Sequence, residues 1–183
     1  DLITVGRQVL GNYFLDVKME FDRMVEAKDY QALKACGEKM KEILNDLDKL
    51  NAFHPYCSLD KWIEDARKMG DSPQLKDYYE KNARNLITTW GGSLNDYASR
   101  SWAGLISDYY SKRWEVYINT FINAVGEGVT VDQKQLENKL KEIEESWVNA
   151  TERKNTRKDV HLTTGGLLSF SAFLFSKYQR LVK

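Results

Sequence analysis

The residues best suited to chemistry lie between Trp90 and Trp114. This stretch packs three Trp, three Tyr and three Gly into 25 residues, with Gly91-Gly92 between helix-forming runs. Ordinary core helices use Leu and Ile, which fill space without polar atoms. Large aromatics with polar handles beside a glycine turn fit a surface that meets something flat and hydroxylated, such as a sugar ring. Trp90 closes a helix at the turn, with no periodic apolar partner after it; packing and a place beside a cleft both account for it. Asp96 follows the turn. A carboxylate there reads first as a first-turn charge favoured by a helix dipole, with direct contact to a substrate as the second reading.

Other chemistry is sparse. Hydrolysis of a glycosidic bond needs two carboxylates opposed across a sugar, about 5–5.5 Å apart for retention or about 6.5–9.5 Å for inversion. Glu144-Glu145 and Asp46/Asp48 fall on faces read as solvent, where their role is solubility. Glu42 and Lys49 join them there. His54 and His161 lie far apart, both near breaks, and no HExxH or Cys/His cluster occurs. Cys36 and Cys57 lack CxxC spacing; Cys36 falls on an apolar helical position and reads as a buried thiol. There is no GxSxG elbow, and Gly126-Glu127-Gly128 follows a helix rather than a strand, so it reads as a helix stop. No metal and no cofactor are expected.

The elements that must position these residues are helices. Helical periodicity runs almost throughout, and both prolines fall at breaks. Leu2, Val5, Val9, Tyr13, Val17, Phe21 and Met24 share one face of a helix to about Ala27. From an Asp29 cap, Leu33, Cys36, Met40, Ile43, Leu47 and Leu50 form a packing seam. Ser58 caps a short helix to Met69, ended by Gly70. Ser72-Pro73 opens a helix to about Thr89. After Gly91-Gly92, Ser93 or Asn95 is expected to cap a helix carrying Trp102, Leu105, Ile106, Tyr109, Trp114, Tyr117, Phe121 and Val125, with a break or kink near Ser111. Thr130-Val131-Asp132-Gln133 resembles a capping box before Leu136, Leu140, Ile143 and Trp147. A polar loop from Thr151 to Thr164 holds the basic run Arg153–Lys158, and a last helix spans Leu167 to Leu181. The spacing of Trp62, Trp147, Tyr117 and Phe121 places them in packing. The fold class is all-α, a helical bundle of about seven to eight mostly antiparallel helices in one domain, 1–183.

Composition narrows the partners. Lys+Arg and Asp+Glu both total 27, so the formal net charge is zero. Neither a basic nucleic-acid footprint nor a polybasic membrane patch is present, so no nucleic acid and no membrane are expected. The longest apolar stretch, Leu167–Phe175, is too short to span a bilayer. The chain opens on Asp1-Leu2-Ile3-Thr4-Val5 without Met or a cleavage pattern, and is expected to be a fragment of something longer.

One set of motifs carries a family resemblance. It consists of Tyr78-Tyr79-Glu80-Lys81-Asn82-Ala83-Arg84, Leu86-Ile87-Thr88-Thr89-Trp90-Gly91, Leu94-Asn95-Asp96-Tyr97-Ala98, Trp102-Ala103-Gly104-Leu105, Asp108-Tyr109-Tyr110 and Arg113-Trp114. Together these resemble the C-terminal α-helical domain of the α-N-acetylglucosaminidases of glycoside hydrolase family 89. Trp62–Arg67 resembles the preceding helix, and Asp1-Leu2 with Arg7-Gln8 the start of that domain. The resemblance implies a parent chain with a (β/α)8-like barrel that supplies both catalytic glutamates by the retaining mechanism. No catalytic residue would then lie in this chain, which would be inactive alone. The partners implied are that barrel and an N-acetylglucosamine-containing glycan. The implied substrate-binding residues are Trp90, as an aromatic wall, and Leu94, shaping a pocket for the N-acetyl methyl. Asp96, Tyr97, Arg113 and Trp114 would hold the turn and its helices in place. Such enzymes act in lysosomes in animals and are often exported in bacteria. The rival reading is a free-standing helical module that binds carbohydrate or protein without catalysis, and a purely structural bundle is the third.

Overall fold

The computed structural model describes residues 2–54, 56–96, 98–151 and 163–179. Among these residues the chain forms seven α-helices and one π-turn. They are α1 (Leu2–Ala27), α2 (Tyr30–Asn51), α3 (Leu59–Lys68), α4 (Pro73–Ile87), the π-turn (Ile106–Tyr110), α5 (Ser111–Glu127), α6 (Gln133–Asn149) and α7 (Thr164–Tyr178). The all-α bundle read from the periodicity is therefore what forms.

Local chemistry sets most helix starts. Asp29, Ser58, Ser72, Asp132 and Thr163 each stand in extended backbone before a helix. Their side chains accept the N–H three residues on, from Ala32, Lys61, Leu75, Gln135 and Gly166. Each such cap contributes about 1 kcal/mol. On α6 the cap is Asp132 and not Thr130. Gly128, at φ 70°, closes α5 in the left-handed conformation that favours glycine.

Helices α1 and α2 pack antiparallel. Gly6, early in α1, lies over Leu50, late in α2; an added Cβ would come within 2.7 Å of Leu50 Cδ2. Gly37 allows the same approach between α2 and α5, where a Cβ would meet Ile118 Cγ2 at 2.6 Å. One core gathers Phe21, Leu33, Met40, Ile43, Leu50 and Ile118 from α1, α2 and α5, with Leu174 and Tyr178 of α7. A second gathers Leu59, Ile63, Ala83, Ile87, Leu105, Tyr109 and Trp147. Burying side chains of this size contributes about 1.5–3 kcal/mol each. Trp147 belongs to the second core and Trp62 packs against it, while Tyr117 and Phe121 pack against the first, as their spacing implied. Cys36 and Cys57 are free thiols. Cys36 is half-buried rather than buried, and that burial pushes its thiol up.

On α1 the expected face is only partly the packed one: Leu2, Val5 and Val9 are exposed, while Ile3 and Leu10 are buried with Val17 and Phe21. The structure corrects three further expectations. Ser93 and Asn95 cap no helix: the described residues from 88 to 104 are not helical, and helix begins at Leu105. Leu94, Asp96 and Ser99 take φ of 60°, 46° and 44°, which a right-handed helix cannot contain. Trp102 thus sits in the loop, its ring 5.7 Å from Trp62. The break anticipated near Ser111 is a change from π to α hydrogen bonding within one continuous helix. That wider turn lets consecutive tyrosines serve both cores: Tyr109 is in the second, and Tyr110 packs against the two.

The second correction concerns Asp46 and Asp48, expected on the outer face but 3% and 7% exposed. Asp46 accepts the Tyr178 hydroxyl at 2.7 Å and Lys177 Nζ at 2.8 Å, fastening α7 to α2. Asp48 Oδ1 accepts the Gly104 N–H at 2.7 Å and the Ser107 N–H at 3.2 Å. The cap that Ser93 or Asn95 was expected to supply thus comes from α2, across the fold. The third is Glu144, at 2% exposure, whose partners belong to the site.

Candidate functional site

The site is the loop between α4 and the π-turn, built by successive departures from helix. Thr88 is fully buried, and its hydroxyl donates to Arg84 O at 2.8 Å as α4 ends. The Trp90 N–H donates to Asn85 O, and the Gly92 N–H to Thr89 O. Gly92 then takes φ 108°, turning the chain back. Leu94, Asp96 and Ser99 follow with positive φ, a conformation that costs a residue other than glycine about 1 kcal/mol or more. Such strain persists only where the surroundings hold it.

Glu144 of α6 does much of that holding. Its carboxylate accepts the Ser93 hydroxyl at 2.5 Å and the Leu94 N–H at 3.0 and 3.1 Å. It also accepts the Tyr109 hydroxyl at 2.9 Å. Tyr109 has one proton to give, and Glu144 is nearer than Asp96 Oδ1 at 3.4 Å. The same hydroxyl accepts from Arg113 at 3.0 Å. Arg113 binds Asp96 Oδ1 at 2.6 Å, lies 3.7 Å from Glu144, and stacks its guanidinium over the Tyr109 ring at 5.1 Å. The turn is therefore tied to α5, α6 and the π-turn at once.

The electrostatics suit these ties. Burial pushes the Tyr109 hydroxyl far above its ordinary value, helped by the Asp96 and Glu144 charges and opposed by Arg113, so it remains a donor. Burial likewise pushes Tyr110 up to about 12. Burial works against the Arg113 charge, but the Asp96 hydrogen bond and nearby negative groups raise its pKa overall. The far end of the loop is fixed by Asp48 and by a short backbone bridge, Ala103 N–H to Cys57 O and Leu59 N–H to Ala103 O.

The structure brings Leu94, Asp96 and Arg113 into one network. Trp90 lies on the same turn and is 58% exposed. Trp114 stands elsewhere, its ring 4.9 Å from Phe14 and 5.4 Å from Tyr117, where it joins α5 to α1. Tyr97 and His161 lie outside the described residues. His54 Nδ1 accepts the Tyr56 N–H in a local turn. Among the described residues no three His, Cys, Asp or Glu converge as metal ligands. Sequence reasoning missed Glu144 and gave Tyr109, Ser93 and Asp48 no role here. A signal existed for Glu144: it falls four residues after Leu140 and three before Trp147, on the apolar stripe of α6.

A separate buried cluster braces α4. Glu80 and Arg84 are both almost fully buried and pair at 2.6 Å; Arg67 adds a second bond to Glu80 at 2.6 Å. The Arg84 guanidinium lies 4.7 Å from the Trp147 ring. Beside it is a cavity of about 500 Å³ lined by Arg84, Asp108, Lys112 and Trp147 among others. Neither Trp90 nor Leu94 lines it.

Fold and site together define an all-helical domain that presents an exposed indole on a tightly held turn. The chain belongs to the family of the α-N-acetylglucosaminidase (NAGLU) C-terminal domain, whose pattern matches residues 1–177. Human α-N-acetylglucosaminidase is 32% identical over 123 residues, covering 66% of this chain and 17% of that protein. A family 89 glycoside hydrolase from Clostridium perfringens, solved with its substrate GlcNAc-α-1,4-galactose, superposes with a TM-score of 0.81 at 25% identity. That match covers 99% of this chain and 21% of the other. The Clostridium perfringens family 89 enzyme with 2-acetamido-1,2-dideoxynojirimycin gives 0.81 at 26% identity, over 96% of this chain and 20% of that one. The chain thus spans about a fifth or less of these relatives.

Proposed function

We propose that this chain, as one domain, is the C-terminal part of a retaining α-N-acetylglucosaminidase, and that its Trp90–Leu94 turn forms one side of the cleft for a terminal α-linked N-acetylglucosamine. The observation that carries this reading is Trp90, a large indole left 58% exposed on a turn whose neighbours are clamped from several helices. An indole face can stack on the apolar face of a pyranose and exclude water, and an aliphatic side chain beside it can shape space for an N-acetyl methyl. The likeness to a Clostridium perfringens enzyme solved with GlcNAc-α-1,4-galactose supports the choice of sugar.

In this reading the barrel of the parent chain supplies both glutamates, one as acid/base and one as nucleophile. The helical domain supplies binding and shape. The test compares the full-length chain with purified residues 1–183 on an aryl α-N-acetylglucosaminide. The longer chain hydrolyses it with the α-anomer formed first, and the fragment does not. Turnover by the fragment would overturn this division of roles, and a full-length chain that binds the sugar without turnover would favour a binding module.

A further inference from the structure

We propose that Glu144 is a positioning residue for the substrate side of the turn, setting Leu94 in place without touching the sugar. This rests on the reading that Leu94 faces the N-acetylglucosamine. Glu144 is 2% exposed, and its carboxylate oxygens are committed to Ser93 Oγ, the Leu94 N–H and the Tyr109 hydroxyl. It therefore acts from behind the turn. Its grip falls on the N–H of a residue at φ 60°, a conformation leucine adopts rarely. Without that acceptor, the Leu94 peptide can relax toward ordinary φ, and the isobutyl group would leave its place. Ser93 gives the carboxylate a second hold one residue earlier. Arg113, 3.7 Å from Glu144 and 2.6 Å from Asp96 Oδ1, carries the hold across to the far side of the turn.

A carboxylate suits the task better than an amide. It presents acceptor sites only, and all three partners are donors. In Glu144→Gln an NH2 faces the Leu94 N–H whichever way the amide turns, because both oxygens contact that N–H. The Ser93 and Tyr109 hydroxyls can turn to accept but the Leu94 N–H cannot, and the ion pair with Arg113 is lost.

The test uses the full-length chain and measures KM and kcat on an aryl α-N-acetylglucosaminide for Glu144→Gln, Leu94→Ala and the double variant. A group that shapes a binding wall changes KM more than kcat. Glu144→Gln should raise KM about tenfold with kcat within about twofold, an effect the size of a misplaced hydrophobic contact. In the Leu94→Ala background it should raise KM no further, because the two substitutions remove the same contact. Ser93→Ala loosens the same hold at an exposed residue and should raise KM about threefold, which keeps the proposal testable if Glu144→Gln does not fold. Glu145→Gln, on the exposed neighbour, should change nothing. If Glu144→Gln and Ser93→Ala lower thermal stability but leave KM unchanged while Leu94→Ala raises it, the positioning role is overturned and the wall remains. If Leu94→Ala and Trp90→Ala both leave KM unchanged, the wall itself is overturned.

Discussion

Asp48→Ala gives the sharpest test of how the loop is anchored. Asp48 lies in α2 but caps the helix that begins at Leu105, accepting the Gly104 N–H at 2.7 Å and the Ser107 N–H at 3.2 Å. The carboxylate is 7% exposed, so water cannot readily replace it. Leaving a buried donor without its acceptor costs about 1–3 kcal/mol. A negative charge at a helix N-terminus adds up to about 2 kcal/mol in partly buried geometry. One short and one longer bond, with overlapping contributions, give a loss of about 3 kcal/mol. For a chain of this size that is about 6–12 °C in Tm. Asp48→Asn keeps an oxygen acceptor but loses the charge, and should cost about 1 kcal/mol. Urea unfolding followed by far-UV circular dichroism measures both. The loss should appear in the midpoint at constant slope, and the Gly104 and Ser107 amides should exchange faster. Asp48→Ala within about 0.5 kcal/mol of the parent would refute the idea that α2 caps this helix.

Two further predictions concern the buried charges and hydroxyls. Glu80→Ala leaves the almost fully buried Arg84 without its carboxylate and should cost about 3–5 kcal/mol in denaturant unfolding; Glu80→Leu with Arg84→Met should cost less than the single change, and the reverse order would count against a buried-pair penalty. At high pH, the hydroxyls of Tyr109, Tyr110 and Tyr178 stay protonated in the fold, chiefly through burial, while in the unfolded chain they ionise near 10. The folded state then binds more protons, so their contribution is complete below pH 10 and stability falls above it by about 1.4 kcal/mol per pH unit per tyrosine. Tyr178→Phe should make that decline shallower by one tyrosine's share, and an unchanged slope would contradict the assignment.

Much of the bundle could be read from periodicity because packing and spacing report the same thing. Leu33, Met40, Ile43, Leu47 and Leu50 recur on one face of α2, and all are buried. The caps at Asp29, Ser58 and Ser72 were equally legible, since each bonds only three residues ahead. Asp46, Asp48 and Glu144 were misread for the opposite reason. A lone carboxylate on a helix looks like a solvated one until its partner is known. The partners here lie far along the chain: Tyr178 for Asp46, Gly104 for Asp48, Leu94 for Glu144. Position on the stripe was the available hint, because Asp46 follows Ile43 by three and precedes Leu50 by four. The loop escaped for a related reason. Leu94 and Asp96 take positive φ where tertiary bonds from Glu144 and Arg113 hold them, and Ser99 where it bonds back to Asp96 O; local propensity alone would have continued a helix through them. The motifs around Trp90 pointed to the right family, while the side chains that hold the turn came into view only with the fold.

The central claim is that this helical domain contributes a sugar-facing wall at Trp90. The most direct measurement is the KM of full-length Trp90→Ala on an aryl α-N-acetylglucosaminide, read beside its Tm. Trp90 is 58% exposed, so its loss should shift Tm by no more than about 2 °C. Removing an indole that stacks on the sugar should raise KM about tenfold or more. An unchanged KM at unchanged Tm would contradict the account, leaving Trp90 as surface and the domain as scaffold.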